Sequence, residues 1–70
     1  MSGGLANRLR ELRDERGWTQ AELAARVGVT RKTVNTIENR VFVPSALLAL
    51  KLARAFGEPV EKLFWLETGD

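Results

Sequence analysis

A chain of 70 residues, 44% hydrophobic and 29% charged, has the size and composition of one small globular domain. It contains neither cysteine nor histidine, which excludes a disulfide framework and removes the commonest metal ligands and the commonest general base. No enzyme, no cofactor and no metal site is therefore expected. No apolar run approaches the roughly 20 residues of a transmembrane helix, so no membrane partner is expected. Met1–Gly4 is too short and too polar for a signal peptide, and the expected location is cytoplasmic. The net charge of +2 is uneven: Arg26, Arg31, Lys32, Arg40, Lys51 and Arg54 face only Glu38 in the middle of the chain, whereas the last stretch is acidic. A basic middle suits a polyanion, and it equally suits a solvated surface.

Residues 1–4 read as a flexible tail. A first helix is predicted over residues 5–16, with Leu5, Leu9 and Leu12 on one stripe and Gly17 as its stop. Thr19 and Glu22 have the spacing of a capping box, and Trp18 and Leu23 that of a hydrophobic staple, opening a helix over residues 20–27. Leu23, Ala24 and Val27 form its inner face. Gly28 can turn left-handed and end it. Thr30 caps a third helix over residues 31–39, with Val29 and Val34 as staple and with Val34, Ile37 and Glu38 inward. After a loop from Arg40 to Pro44, Ser45 caps a fourth helix over residues 46–56, whose inner face is Leu48, Ala49, Leu52, Ala53 and Phe56. Gly57 stops it, and Pro59 presets entry to a fifth helix over residues 60–66, with residues 67–70 as a tail. The strand signal is confined to a weak extended piece at Phe64–Glu67. The expected fold class is all-α, a five-helix bundle.

Two capped helices joined by a short turn, the second opening on Arg31 and Lys32, have the layout of a helix-turn-helix reader of the DNA major groove. With Val34 and Ile37 inward, Arg31, Lys32, Asn35 and Thr36 face outward. Arginine can bind guanine O6 and N7 together, asparagine can bind adenine N6 and N7, and the threonine methyl suits a thymine methyl. Lys32 can reach a guanine or a phosphate. Gln20 opens the second helix, where free N–H groups and partial positive charge suit a phosphate. Arg13 and Glu38 fall on otherwise apolar faces, where a charge is costly unless paired, so they are expected to pair. Phe64, Trp65 and Leu66 cannot all be buried on one side of a helix. The surplus is either a partner surface or a single exposed aromatic.

These residues resemble the Cro/phage-repressor (XRE-like) type of helix-turn-helix regulator. The resemblance runs from Leu5 to Leu66 and rests on LRELRDER (Leu9–Arg16), TQAELAARVGV (Thr19–Val29), TVNTIEN (Thr33–Asn39) and ALKLARAFG (Ala49–Gly57). It implies a bundle of the lambda-repressor-like kind. Such a protein binds double-stranded operator DNA as a homodimer, represses transcription and is nucleoid-associated. It implies base reading by Arg31, Lys32, Asn35 and Thr36, and phosphate contact by Gln20, with Thr30, Thr33, Asn39 and Arg40 as further candidates. It implies pairing of Arg13 with Glu38 and a dimer interface at Phe64, Trp65 and Leu66. The chain departs from the family after the third helix. Arg40 stands where glycine is usual, in a left-handed position that strains an arginine and leaves the path of the loop open. Val41, Val43 and Leu47 replace polar residues and offer a second patch for a protein contact. The alternative function is a protein-interaction module, antitoxin-like or an adaptor, on the same fold.

Overall fold

The computed structural model describes residues 4–67. Its helices are α1 (Leu9–Arg16), α2 (Gln20–Val27), α3 (Arg31–Glu38), α4 (Ala46–Phe56) and α5 (Val60–Leu63). Two short strands flank them, β1 (Leu5–Asn7) and β2 (Phe64–Leu66). The caps are local. Thr19 Oγ1 accepts the Glu22 N–H at 3.0 Å while Glu22 Oε1 accepts the Thr19 N–H at 2.7 Å, which closes the capping box of α2. Thr30 and Ser45 cap α3 and α4 by the side-chain oxygen alone, accepting the Thr33 and Leu48 N–H groups at 3.2 and 3.1 Å. Each such cap stabilises by about 1 kcal/mol. Gly28 ends α2 at φ 77°, and the Ala24 carbonyl accepts the N–H groups of both Gly28 and Val29. A glycine takes that conformation without strain, so only three residues separate the end of α2 from the start of α3.

The apolar faces of the helices then meet. Leu9, Leu23, Val34, Ile37, Leu52 and Leu63 are fully buried, with Leu12, Ala24, Val27, Ala53, Phe56 and Phe64 around them. Burying one such leucine is worth about 1.5–3 kcal/mol. α2 packs against both α3 and α4, so the recognition-type helix rests on the centre of the domain. Trp18 is half-buried: its ring stacks on Phe56 at 5.2 Å, and the Arg26 guanidinium covers it at 4.0 Å.

Three of the predicted boundaries require correction. The helix expected over residues 5–16 starts at Leu9, and residues 5–7 form β1 instead. The helix expected over 60–66 ends at Leu63, and Phe64 turns extended (φ −132°, ψ 143°) to begin β2. The two strands pair antiparallel, Leu5 with Leu66, Ala6 with Trp65 and Asn7 with Phe64. The Arg8 N–H to Leu63 carbonyl bond and the Glu67 N–H to Gly4 carbonyl bond extend the ladder at 3.0 and 2.9 Å. The physical reason lies in Asn7 and in the split between buried Phe64 and exposed Trp65. Asn7 Oδ1 accepts the Leu9 N–H at 3.1 Å, an Asx-type bond that opens α1 late, and its Nδ2 donates to the Ile37 carbonyl at 3.0 Å. An extended backbone sends Phe64 into the core and Trp65 to the other face. The third helix ends at Glu38, with Asn39 as its cap residue. Of the expected tails, residues 1–3 and 68–70 lie outside the described residues, whereas Gly4 and Glu67 belong to the ribbon.

The loop after α3 keeps the left-handed path. Arg40 has φ 64°, and it is the one positive-φ residue other than glycine among those described. The Arg40 N–H bonds to the Ile37 carbonyl at 3.0 Å and the Val41 N–H to the Thr36 carbonyl at 2.9 Å, the pair of bonds that defines a Schellman cap. An exposed ion pair of Arg40 with Glu67 accompanies it. A left-handed arginine costs about 1–2 kcal/mol, and the two carbonyls that the cap satisfies offset that cost. In a Glu67→Gln background, where the ion pair is already gone, Arg40→Gly should therefore stabilise the domain by about 1 kcal/mol. A thermal melt that is unchanged or lowered would contradict this account of the loop.

Candidate nucleic-acid interface

The N-terminal half of α3 holds the residues able to meet a base edge, and the start of α2 lies beside it. Arg31, Lys32 and Asn35 are exposed, and with half-buried Gln20 they line one shallow concavity that contains no acidic residue. Thr36 is set apart. It is half-buried, its hydroxyl donates to the Thr33 carbonyl at 2.9 Å, and it borders a neighbouring cleft with Lys32, Thr33, Val41 and Phe42. Its hydroxyl proton is thus engaged, and its methyl is the group left to contribute.

Behind the concavity lies an ordered polar network. Arg13 Nε donates to Glu38 Oε2 at 2.8 Å and Arg13 Nη2 to Glu38 Oε1 at 3.2 Å, a two-pronged bond between α1 and α3. The side chains are 12% and 5% exposed, so the pair is nearly dry. The Arg13 guanidinium is held above its ordinary pKa, first by its hydrogen bonds to Glu38, and burial only partly opposes this. Arg13 Nη1 also donates to the Trp18 carbonyl at 3.0 Å, which anchors the turn before α2. Gln20 Nε2 donates to Glu38 Oε1 at 3.0 Å and to Asn35 Oδ1 at 3.2 Å. Asn39 Nδ2 donates to the Asn35 carbonyl at 2.9 Å and to Asn35 Oδ1 at 3.1 Å.

This network changes the reading of several candidate phosphate contacts. Gln20 and Asn39 each have both amide hydrogens engaged within the protein, which leaves only their carbonyl oxygens outward. Thr30 and Thr33 bond to each other at 3.1 Å as part of the α3 cap, and Arg40 is paired with Glu67. The sequence names these residues by position. It does not show that their donors face inward, because the partners lie up to 18 residues away. Positive charge also divides between two surfaces, since Arg26, Lys51 and Arg54 line a separate cleft between α2 and α4.

The apolar candidates separate as well. Phe64 is buried in the protein's own core, at 8% exposure, and so is corrected out of the expected dimer interface. Trp65 and Leu66 are 41% and 69% exposed, and the Arg8 guanidinium lies 5.1 Å from the Trp65 ring. Val41, Val43 and Leu47 are all exposed, and each borders a different concavity. Val41 borders the cleft beside Lys32 and Thr36, Val43 a cavity shared with Leu5 and Phe64, and Leu47 a cleft beside Val27 and Val29. Among the described residues no cluster of acidic side chains could hold a metal ion, and no helix is long and apolar enough to cross a membrane.

The arrangement is a capped two-helix unit with basic and amide side chains exposed on its second helix, and the family profile described as helix-turn-helix matches residues 9–63. The chain belongs to the helix-turn-helix transcriptional regulators. It is 49% identical over 63 residues to a Bacillus subtilis protein described as the uncharacterized HTH-type transcriptional regulator YgzD, with 90% of this chain and 96% of that one covered. It is 50% identical over 60 residues to an uncharacterized HTH-type transcriptional regulator of Methanothermobacter thermautotrophicus, covering 84% and 87%. Among solved structures, the restriction-modification controller protein C.AhdI of Aeromonas hydrophila superposes with a TM-score of 0.73 at 35% identity, over 77% of this chain and 78% of that one. A DNA-binding, non-enzymatic regulator of the Cro/phage-repressor type is the function that these findings support.

The buried ion pair generates a sharp prediction about stability. Removing one partner leaves an unpaired charge or an orphaned polar group, at a cost of about 3–5 kcal/mol, whereas replacing both by apolar residues of similar volume is far milder. Arg13→Met and Glu38→Leu should each unfold at much lower denaturant concentration than the double variant. Single-variant losses that simply add in the double variant would show that the pair is energetically idle.

Proposed function

We propose that this regulator binds a palindromic operator as a homodimer, with α3 in the major groove, and represses by blocking access to the occluded DNA. The observation that carries the reading is the exposed, acid-free concavity of Arg31, Lys32 and Asn35 beside the start of α2. Arg31 and Asn35 are the principal base readers, Lys32 reaches a guanine or a phosphate, and Thr36 contributes its methyl. The phosphate contact at α2 comes from the free backbone N–H groups of its first turn, those of Gln20 and Ala21, rather than from the Gln20 side chain. Thr30 and Thr33 border the backbone at the start of α3, and Arg40 and Asn39 do so at its end. Arg13–Glu38 acts as a brace that holds α3 at a fixed angle to α1. Phosphate neutralisation supplies most of the affinity and makes it salt-dependent, and base contacts supply the sequence preference. Such a protein works in the cytoplasm, on the nucleoid.

One recognition helix reads only a few base pairs, so two are needed, about 34 Å apart, to read half-sites one helical turn apart. Trp65 and Leu66, the exposed apolar residues of β2, are the proposed dimer surface.

Two measurements test this reading. Selection from random duplex DNA at near-physiological salt should enrich a palindrome, and Arg31→Ala should weaken binding by about 1–3 kcal/mol and blur one position in each half-site. A uniform loss across all sequences would remove Arg31 from base reading, and no enriched sequence at all would favour the interaction module. Leu66→Asp should convert a dimer to a monomer in sedimentation equilibrium while leaving the helical content intact. A mass unaffected by that change would move the interface elsewhere.

A further inference from the structure

We infer that Asn35 reads guanine rather than adenine, because the fold has already engaged its hydrogen-bond acceptor. The inference rests on the proposed placement of α3 against base edges. Its starting point is Glu38, a carboxylate that can only accept. Glu38 Oε1 takes hydrogens from Arg13 Nη2 and from Gln20 Nε2, so the Gln20 amide must turn its nitrogen toward Glu38. The second hydrogen of that nitrogen then points at Asn35, and only an oxygen can receive it. Asn39 gives the same result from the other side. Its Nδ2 donates to the Asn35 backbone carbonyl, which also can only accept, and its second hydrogen again falls on Asn35 Oδ1.

Asn35 Oδ1 thus receives two hydrogen bonds, at 3.2 and 3.1 Å, which fill its two lone pairs. Turning the carboxamide over would set its NH2 against two other NH2 groups and lose both bonds. The side chain is exposed and borders the concavity, and the groups it retains for a ligand are the two N–H donors of Nδ2. The usual asparagine–adenine pair needs the oxygen as well, to accept from adenine N6. Facing this residue, adenine N6 would meet donor against donor. Guanine presents O6 where adenine presents N6, next to N7, and so offers two acceptors to two donors. Gln20 and Asn39 are therefore positioning residues. Neither has a side-chain donor left for DNA, and both set the polarity of the residue that reads.

The test is selection from random duplex DNA with four proteins: wild type, Asn35→Ala, Arg31→Ala and the double variant Gln20→Met/Asn39→Leu, which releases Asn35 Oδ1. The position that blurs in Asn35→Ala should be a G·C pair in the wild-type consensus, favoured about tenfold over A·T. The double variant should shift that position toward A·T. A synthetic operator with 7-deazaguanine at that position keeps its base pairing and lacks the N7 acceptor. Wild type should bind it several-fold more weakly, which a contact to the paired cytosine would not produce. An A·T pair at that position in wild type overturns the inference and leaves DNA reading by α3 intact. So does a G·C preference that a folded double variant leaves unchanged. If the double variant does not melt cooperatively, the wild-type consensus and the 7-deazaguanine operator decide alone. No enriched sequence with wild type, or one that neither Asn35→Ala nor Arg31→Ala alters, overturns the DNA-reading proposal and this inference together.

Discussion

Glu38 is the group on which the arrangement of the recognition surface depends. An ionised carboxylate at 5% exposure must have every oxygen supplied with donors, and three side-chain N–H groups supply them, two from α1 and one from α2. That requirement fixes three helices relative to one another at a point where the apolar core alone would tolerate sliding. Leu9, Leu23, Val34 and Ile37 are interchangeable in kind, and similar packings of them have similar free energy. A charged fork matched to a carboxylate is directional, and it selects one of those packings.

The same directionality passes outward to the surface. Each amide in the chain Glu38–Gln20–Asn35–Asn39 has one end assigned by a neighbour that cannot reverse its role. The side of α3 proposed to face the bases is thereby set in polarity before any ligand arrives, and such preorganisation lowers the entropy cost of binding. Arg31 and Lys32 stand outside this network and remain flexible cations, suited to phosphate steering and to adjustment against a base.

Legibility in the sequence follows the range of the interactions. The capping box of Thr19 and Glu22, the caps at Thr30 and Ser45, and the stop at Gly28 involve residues no more than a few positions apart, and pattern alone locates them. The helical faces follow from the spacing of Leu23, Val27, Val34 and Ile37. The ribbon does not, because three residues at each end carry too short a pattern to separate a strand from the margin of a helix. Leu5 and Leu9 have helical spacing, and the bonds of Asn7, one to the Leu9 N–H and one across the fold to the Ile37 carbonyl, are what start α1 at Leu9. Residue type alone marks Gln20 and Asn39 as donors. The partner to which each donates depends on the fold, and that information is absent from local sequence. Arg40 is a third case: the local cost is legible, but the Schellman bonds that offset it follow from how α3 ends.

The ribbon has a consequence for how the chain reaches this structure. Leu5 and Leu66 are the most distant residues joined by the strand register, and bringing them together closes a loop that contains all five helices. Loop-closure entropy for a segment of that size is several times the thermal energy, and a three-residue ladder returns little against it. The helices, joined by short connections, can collapse first and deliver the two ends to one place. The ribbon is then the last part to zip and the first to open. Its amides should exchange with solvent through local fraying, while those of α2 and α3 exchange only through global unfolding.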